Sequence, residues 1–150
     1  MPNTFTGVYP CYDNQFSIDT TGGDGSTAAN CKTIADMESF SVSIDGNVEE
    51  WSPYDMEGWM RRMVTGKSIG ITVSGKRNVG DAGNDYIAGL AFETGSDCET
   101  TFIWNFPNGA KLTVPCVVNV TELGAADSRN VAPLGFEIQS NGIPTFTPAT

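Results

Sequence analysis

The sequence predicts a mainly β domain with one flanking helix, and three observations carry that prediction. Charged residues are only 17% of the chain, while Gly, Ser, Thr, Asn and Pro fill much of the rest, a composition that disfavours coiled coils and long helical bundles. Apolar and polar residues alternate with period two in several stretches, the mark of strands with one face on a core. The 150 residues suffice for one core that buries roughly 70% of the unfolded surface, so a single domain with two sheets' worth of strands is expected.

Residues 1–36 read as an N-terminal arm and loop, rich in Thr, Gly, Asp and Asn, with Phe5, Val8, Tyr9, Phe16 and Ile18 as scattered anchors. A short strand is expected at 15–19, and TTGGDGSTAAN at 20–30 has the chemistry of a turn-rich loop. The β domain then spans 37–140. Phe40, Val42 and Ile44 alternate with Ser39, Ser41 and Ser43, and Asp45-Gly46-Asn47 reads as a turn. Ser52 as N-cap, Pro53 at the first helical position and Asp55 predict a helix over about 53–65. Met56, Trp59, Met60, Met63 and Val64 would form its apolar stripe and pack on a sheet, with Gly66 as its stop. Ile69, Ile71 and Val73 predict a second strand, followed by a loop over 76–85. A turn or two of helix follows, capped by Asn84 or Asp85, with Tyr86, Ile87, Leu90 and Ala91 inward.

Two strong strands come next, 100–106 and 111–122, joined by a Pro107-Asn108-Gly109 hairpin. Pro115 within the longer one predicts an edge or a bulge there. A last strand at 134–140 carries Leu134, Phe136 and Ile138 inward, and 141–150 reads as a C-terminal arm.

The chain contains no histidine, which excludes Ser-His-Asp and Cys-His catalysis and imidazole metal sites. Eighteen acids against eight bases leave a net charge of -10, the wrong sign for binding nucleic acid through its phosphates. The four cysteines, at 11, 31, 98 and 116, make no C-x-x-C motif, and Cys116 sits at an inward strand position as a small core residue. The acidic loops at 19–25 and 80–85 lack the twelve-residue calcium pattern, and the loop at 76–85 lacks the P-loop Lys-Ser/Thr. No cofactor, metal or catalytic residue is therefore expected. No apolar run is long enough to span a membrane, and the first residues lack a leader's basic and apolar regions. Cytoplasmic synthesis with reduced thiols is expected. Five of the eight bases, Arg61, Arg62, Lys67, Lys76 and Arg77, crowd into seventeen residues of an otherwise acidic chain. With Asp81 and Asp85 they are candidates for contacts between subunits, a basic patch on one meeting an acidic face on another.

The middle and C-terminal residues resemble the tail tube, or major tail, proteins of long-tailed bacteriophages and related particles. The likeness runs from about residue 40 to 146. Its sharper parts are S-I-D-G-N-V-E-E-W at 43–51, W-M-R-R-M-V-T-G-K-S-I at 59–69, G-K-R-N-V-G-D-A-G-N-D-Y-I-A-G-L at 75–90 and F-P-N-G-A-K-L-T at 106–113. The first 36 residues, with the Gly-rich insertion, depart from it.

The resemblance implies a β-sandwich or barrel-like subunit in hexameric rings, stacked into a tube that conducts DNA. The tail terminator, tape measure and baseplate would be neighbours, and the virion tail, assembled in the host cytoplasm, its location. Ser39, Ser41, Ser43, Glu137 and Gln139 oppose core-facing rows and are the candidates for the lumen wall, past which DNA would slide without specific binding. Two rival classes stay open from the residues alone. One is a secreted β-sandwich adhesin or binding module with disulfides; the other is a carboxylate-dependent hydrolase with a cleft.

Overall fold

The computed structural model describes residues 7–148. Its strands are β1 (Gln15–Asp19), β2 (Cys31–Thr33), β3 (Met37–Trp51), β4 (Arg61–Lys76), β5 (Glu99–Asn105), β6 (Lys111–Leu123), β7 (Pro133–Ser140) and β8 (Thr145–Thr147). They form one antiparallel sheet in the order β2-β1-β5-β6-β7-β4-β3, with β8 beside the start of β6. The sheet is rolled. Phe16 of β1 and Phe40 of β3 come from opposite ends of that order, yet their rings meet edge to face with centroids 4.7 Å apart. The inner face gathers the apolar halves of the alternating strands, Ile18, Ile71, Val73, Phe102, Val114, Leu134, Phe136 and Ile138, all fully buried. At about 25 cal/mol per Å² of apolar surface removed from water, this row dominates the stability of the fold.

Among the described residues the one α-helix is α1 (Ala82–Gly89), which closes the roll with Ile87 and Leu90. Its N-cap is Asp81, whose carboxylate accepts from the Asn84 N–H at 3.0 Å, rather than Asn84 or Asp85. The connector before β3 is threaded between two glycines. A Cβ on Gly75 would run into the Asp36 carbonyl oxygen, and one on Gly83 into that of Thr33, so at both positions only glycine leaves room for the crossing chain.

The helix expected over 53–65 is not there. β3 and β4 instead make one long hairpin, paired from Trp51↔Arg61 down to Met37↔Gly75. Its end is a single 3-10 turn, Tyr54–Met56, and the chain reverses at Glu57 and Gly58, both at positive φ. A helix that short stands only if its stripe is buried, and here nothing covers it: Trp59 is 75% exposed, not packed on a sheet. Pairing with β3 uses the backbone groups from Arg61 onward, and Val64-Thr65 suits a strand better than a helix. Asp45-Gly46-Asn47 is likewise no turn; it lies within β3, opposite Ser68, Lys67 and Gly66. A bulge falls nearby, since Asn47 pairs Gly66 while Val48 pairs Val64, leaving Thr65 as the extra residue.

Pro115 marks neither an edge nor a bulge. β6 is central, and Pro115 pairs Thr101 of β5. Its carbonyl accepts from Asn141 N at 2.8 Å on the other side. A strand residue points its N–H and C=O the same way, so the missing N–H faces the gap between β8, which pairs 111–113, and β7, which pairs from Cys116. The one ladder irregularity of β6 falls between Val120 and Glu122.

Much of the expected N-terminal arm is also woven in. β1 pairs both β2 and β5, Phe16, Ile18 and Ile34 are core residues, and the Trp104 indole N–H donates to the Asn14 side chain at 2.9 Å. At the other end, Phe146 in β8 packs against Phe106 at 6.0 Å between centroids. The anchor expected at Phe5 lies outside the described residues.

Candidate interaction surfaces

Among the described residues, exposed large apolar side chains concentrate on the outer half of the β3–β4 hairpin. Where β4 adjoins β7, Ile71 and Val73 are fully buried. Beyond that flank the ribbon is bare on both faces, and Val48 opposite Val64, Trp51, Met60 and Met63 are all exposed. Tyr54, Met56 and Trp59 crown the tip. The side-chain links along it are exposed and weak: Arg62 pairs with Glu50 at 2.8 Å, both sides in solvent, Asn47 donates to the Thr65 hydroxyl at 2.8 Å, and Arg61 lies over the Trp51 ring at 5.8 Å. A two-stranded ribbon in water is marginal, and an apolar patch of this kind marks an interaction site.

The sheet's outer face carries the polar residues singled out from the sequence. Register puts Ser43, Gly70 and Gln139 in one row, Ser41, Thr72 and Glu137 in the next, and Ser39, Ser74 and Gly135 in a third. Ser39 and Ser74 share a hydroxyl hydrogen bond of 2.7 Å, and the Gln139 amide donates to Glu137. A shallow depression of about 370 Å³ lies here, with Asp45 and Glu137 as its charged groups and no base among its lining residues. The five candidates at 39, 41, 43, 137 and 139 thus share one acidic, small-residue face.

The basic cluster divides. Arg61, Arg62 and Lys67 ride on the projecting hairpin. Lys76 reaches Glu38 at 3.3 Å. Arg77 turns inward to Asp85 at 2.8 Å and to the Asn84 side-chain oxygen at 2.9 Å. Asp81 caps α1 and also accepts from Ala35 N at 3.1 Å. Asn84, fully buried, donates to the carbonyls of Ala35 and Lys76. Arg77, Asp81 and Asp85 are therefore bonded within their own chain, where they tie the loop at 76–85 to α1 and to the connector before β3. Sequence reading missed Asn84 as the centre of that network.

The other acidic loop is also inwardly organised. Asp19, 2% exposed, accepts from the Thr21 hydroxyl and N–H on one oxygen and from Gly25 N on the other. Burial pushes its carboxyl up, but the Thr21 hydroxyl and the N–H groups of Thr21, Gly25 and Gly23 outweigh it and hold the group below its ordinary value. A carboxylate ringed by donors offers nothing to a cation, and among the described residues no group of three or more acids or cysteines could hold a metal. The loop folds over β5, where the Thr101 hydroxyl donates to Gly23 O at 2.9 Å. All four cysteines carry free thiols, Cys11 exposed and Cys98 and Cys116 buried. Burial pushes the Cys116 thiol up to about 12. Among the described residues no helix is long and apolar enough to cross a membrane.

Fold and surfaces together define a class: a rolled antiparallel sheet with one small helix, a bare polar face and a projecting apolar hairpin. No protein-family model matches the chain, and no curated protein matches it. Solved structures do. The chain is similar to a subunit in the tail of an empty gene transfer agent particle with C6 symmetry, at TM-score 0.73 and 18% identity, covering 94% of this chain and 100% of that one. A chain of the native gene transfer agent virion matches at TM-score 0.69 and 15% identity over the same shares. A chain of an extracellular contractile injection system, from a sheath-tube complex in the extended state, matches at 0.60 and 15%, covering 95% and 93%. At these identities the likeness is one of fold, and the fold is that of the phage tail tube type.

Proposed function

We propose that this protein is a structural subunit of a tail tube, six copies to a ring and rings stacked coaxially around a lumen. One observation carries the reading. A fold matched along nearly its whole length to a subunit of a C6-symmetric tail also projects an apolar ribbon that its own chain leaves uncovered. The ribbon then bridges successive rings, and its Trp, Met and Val side chains are buried on assembly. The face bearing Ser39, Ser41, Ser43, Glu137 and Gln139 turns to the lumen. Small polar groups and carboxylates there give phosphates no counterion-release attraction, so DNA passes without adhering. The role is mechanical rather than catalytic, and its partners are further copies of the chain, the other tail proteins and transiting DNA. The particle's tail is its location, following assembly in the host cytoplasm.

Electron microscopy of the purified protein tests this. Hollow tubes with sixfold end views are expected. A protein that stays monomeric at all concentrations and salts removes the tube reading, whereas tubes with a basic inner wall keep it but refute passage by repulsion.

A further inference from the structure

We infer that the groove between β1 and the start of β3 is the socket that receives the hairpin tip of a second copy of this chain. The inference rests on the tube reading and adds to it the place where the ribbon lands. The groove measures about 520 Å³, and Cys11, Tyr12, Phe16, Ile34, Met37 and Phe40 are among its lining residues. It lies where the roll fails to close. β3 ends the strand order, so its outer edge pairs with no strand of its own chain among the described residues, and the ring contacts of Phe40 with Phe16 and Trp104 span the seam.

Groove and tip lie at opposite ends of one strand. Met37 and Phe40 open β3, and Trp51 closes it. At roughly 3.3 Å per residue the two are about 35–45 Å apart. A copy displaced along the strand by that length brings its tip to the groove of the first. The tip offers Trp51, Tyr54, Met56, Trp59 and Met60, all exposed, and the groove offers Tyr12, Phe16, Ile34, Met37 and Phe40 beside a polar rim that includes Asp36 and Glu38. Volumes of roughly 300–1,000 Å³ are the size that takes a bulky apolar group. Tip and socket are different surfaces, so the contact is heterologous and propagates instead of closing on itself. That is what stacking requires of a subunit whose two ends differ.

Cys11 makes the test direct, because it is an exposed native thiol on the groove. Trp59→Cys, assembled and mildly oxidised, is expected to give a ladder of disulfide-linked multimers on a non-reducing gel. Adding Cys11→Ser should abolish that ladder. Where the variant alone assembles poorly, doping it into excess wild-type protein keeps the tube intact and should yield linked dimers, and Tyr54→Cys provides a second position on the tip. Tubes in the microscope with no Cys11-dependent link from either position, or with links through Cys31 instead, overturn the socket and leave the tube reading standing. Wild-type protein that never forms tubes removes the tube reading, and the socket with it.

Discussion

The two halves of the β3–β4 hairpin are built from the same pair of strands and end in opposite conditions. Near the base, Val42 faces Ile71 and Phe40 faces Val73 inside the core. Farther out, Val48 faces Val64 in solvent. The ladder is continuous across both, so the backbone does not distinguish them. The neighbours do, since β7 flanks β4 only from Gly70 to Lys76. Apolar side chains therefore mean fold stability at one end and unspent contact surface at the other.

That contrast should be broken most sharply in the core. Phe136→Ala is expected to cost about 3–5 kcal/mol in urea denaturation of the unassembled protein. Trp59→Ala in the same measurement should stay within about 0.5 kcal/mol, as exposed positions do. A large loss at Trp59 would mean that the tip is held by its own chain. Assembly should reverse the order: Val64→Asp is expected to leave the denaturation midpoint nearly unchanged and to abolish fast-sedimenting polymer.

Next in size is Asn84→Ala, which leaves carbonyls of Ala35 and Lys76 without their donor and should cost about 2 kcal/mol. The same variant tests whether the loop at 76–85 is held from within, because its hydrogen exchange should rise while that of β6 stays slow. The smallest effect belongs to Asp19. Its folded-state value is depressed, so its contribution is full above the ordinary carboxylate range and is lost as pH falls through the lower folded value. Midpoints measured from about pH 5 downward should decline, and less so in Asp19→Asn, which starts lower. Equal slopes in the two proteins would show that Asp19 does not hold the loop.

Strands at the base were legible because burial imposes a period of two, and Ile69-Ile71-Val73 and Leu134-Phe136-Ile138 obey it. The outer hairpin was illegible for the same reason in reverse. Met56, Trp59, Met60, Met63 and Val64 face no core, so no strand period was imposed on them, and their spacing mimicked a helical stripe. Glu57-Gly58, the reversal point, was the signal that could have exposed the error. Strand parity turned the serines at 39, 41 and 43, and separately Glu137 and Gln139, away from core-facing rows, but only register shows that the two sets adjoin on one face. Asn84 was legible only as a candidate helix cap, since the carbonyls of Ala35 and Lys76 that it serves are brought together by the fold. In the expected arm the short strand at 15–19 was legible, but its partner was not, since Phe16 and Ile18 pair with Trp104 and Phe102 far along the chain.

The closure of β1 onto β5 has a consequence for the order of events during synthesis. The Trp104–Asn14 bond joins residues 90 apart in sequence, whereas the β3–β4 ribbon is a local hairpin. Local pairings form early and long loops close late. A nascent chain thus carries its ribbon before its roll has shut, and the seam between β1 and β3 takes shape only once β5, β6 and β7 have left the ribosome. In the proposed tube, polymerisation would be timed by topology, since half-made subunits would lack one of the two surfaces needed to join a growing end.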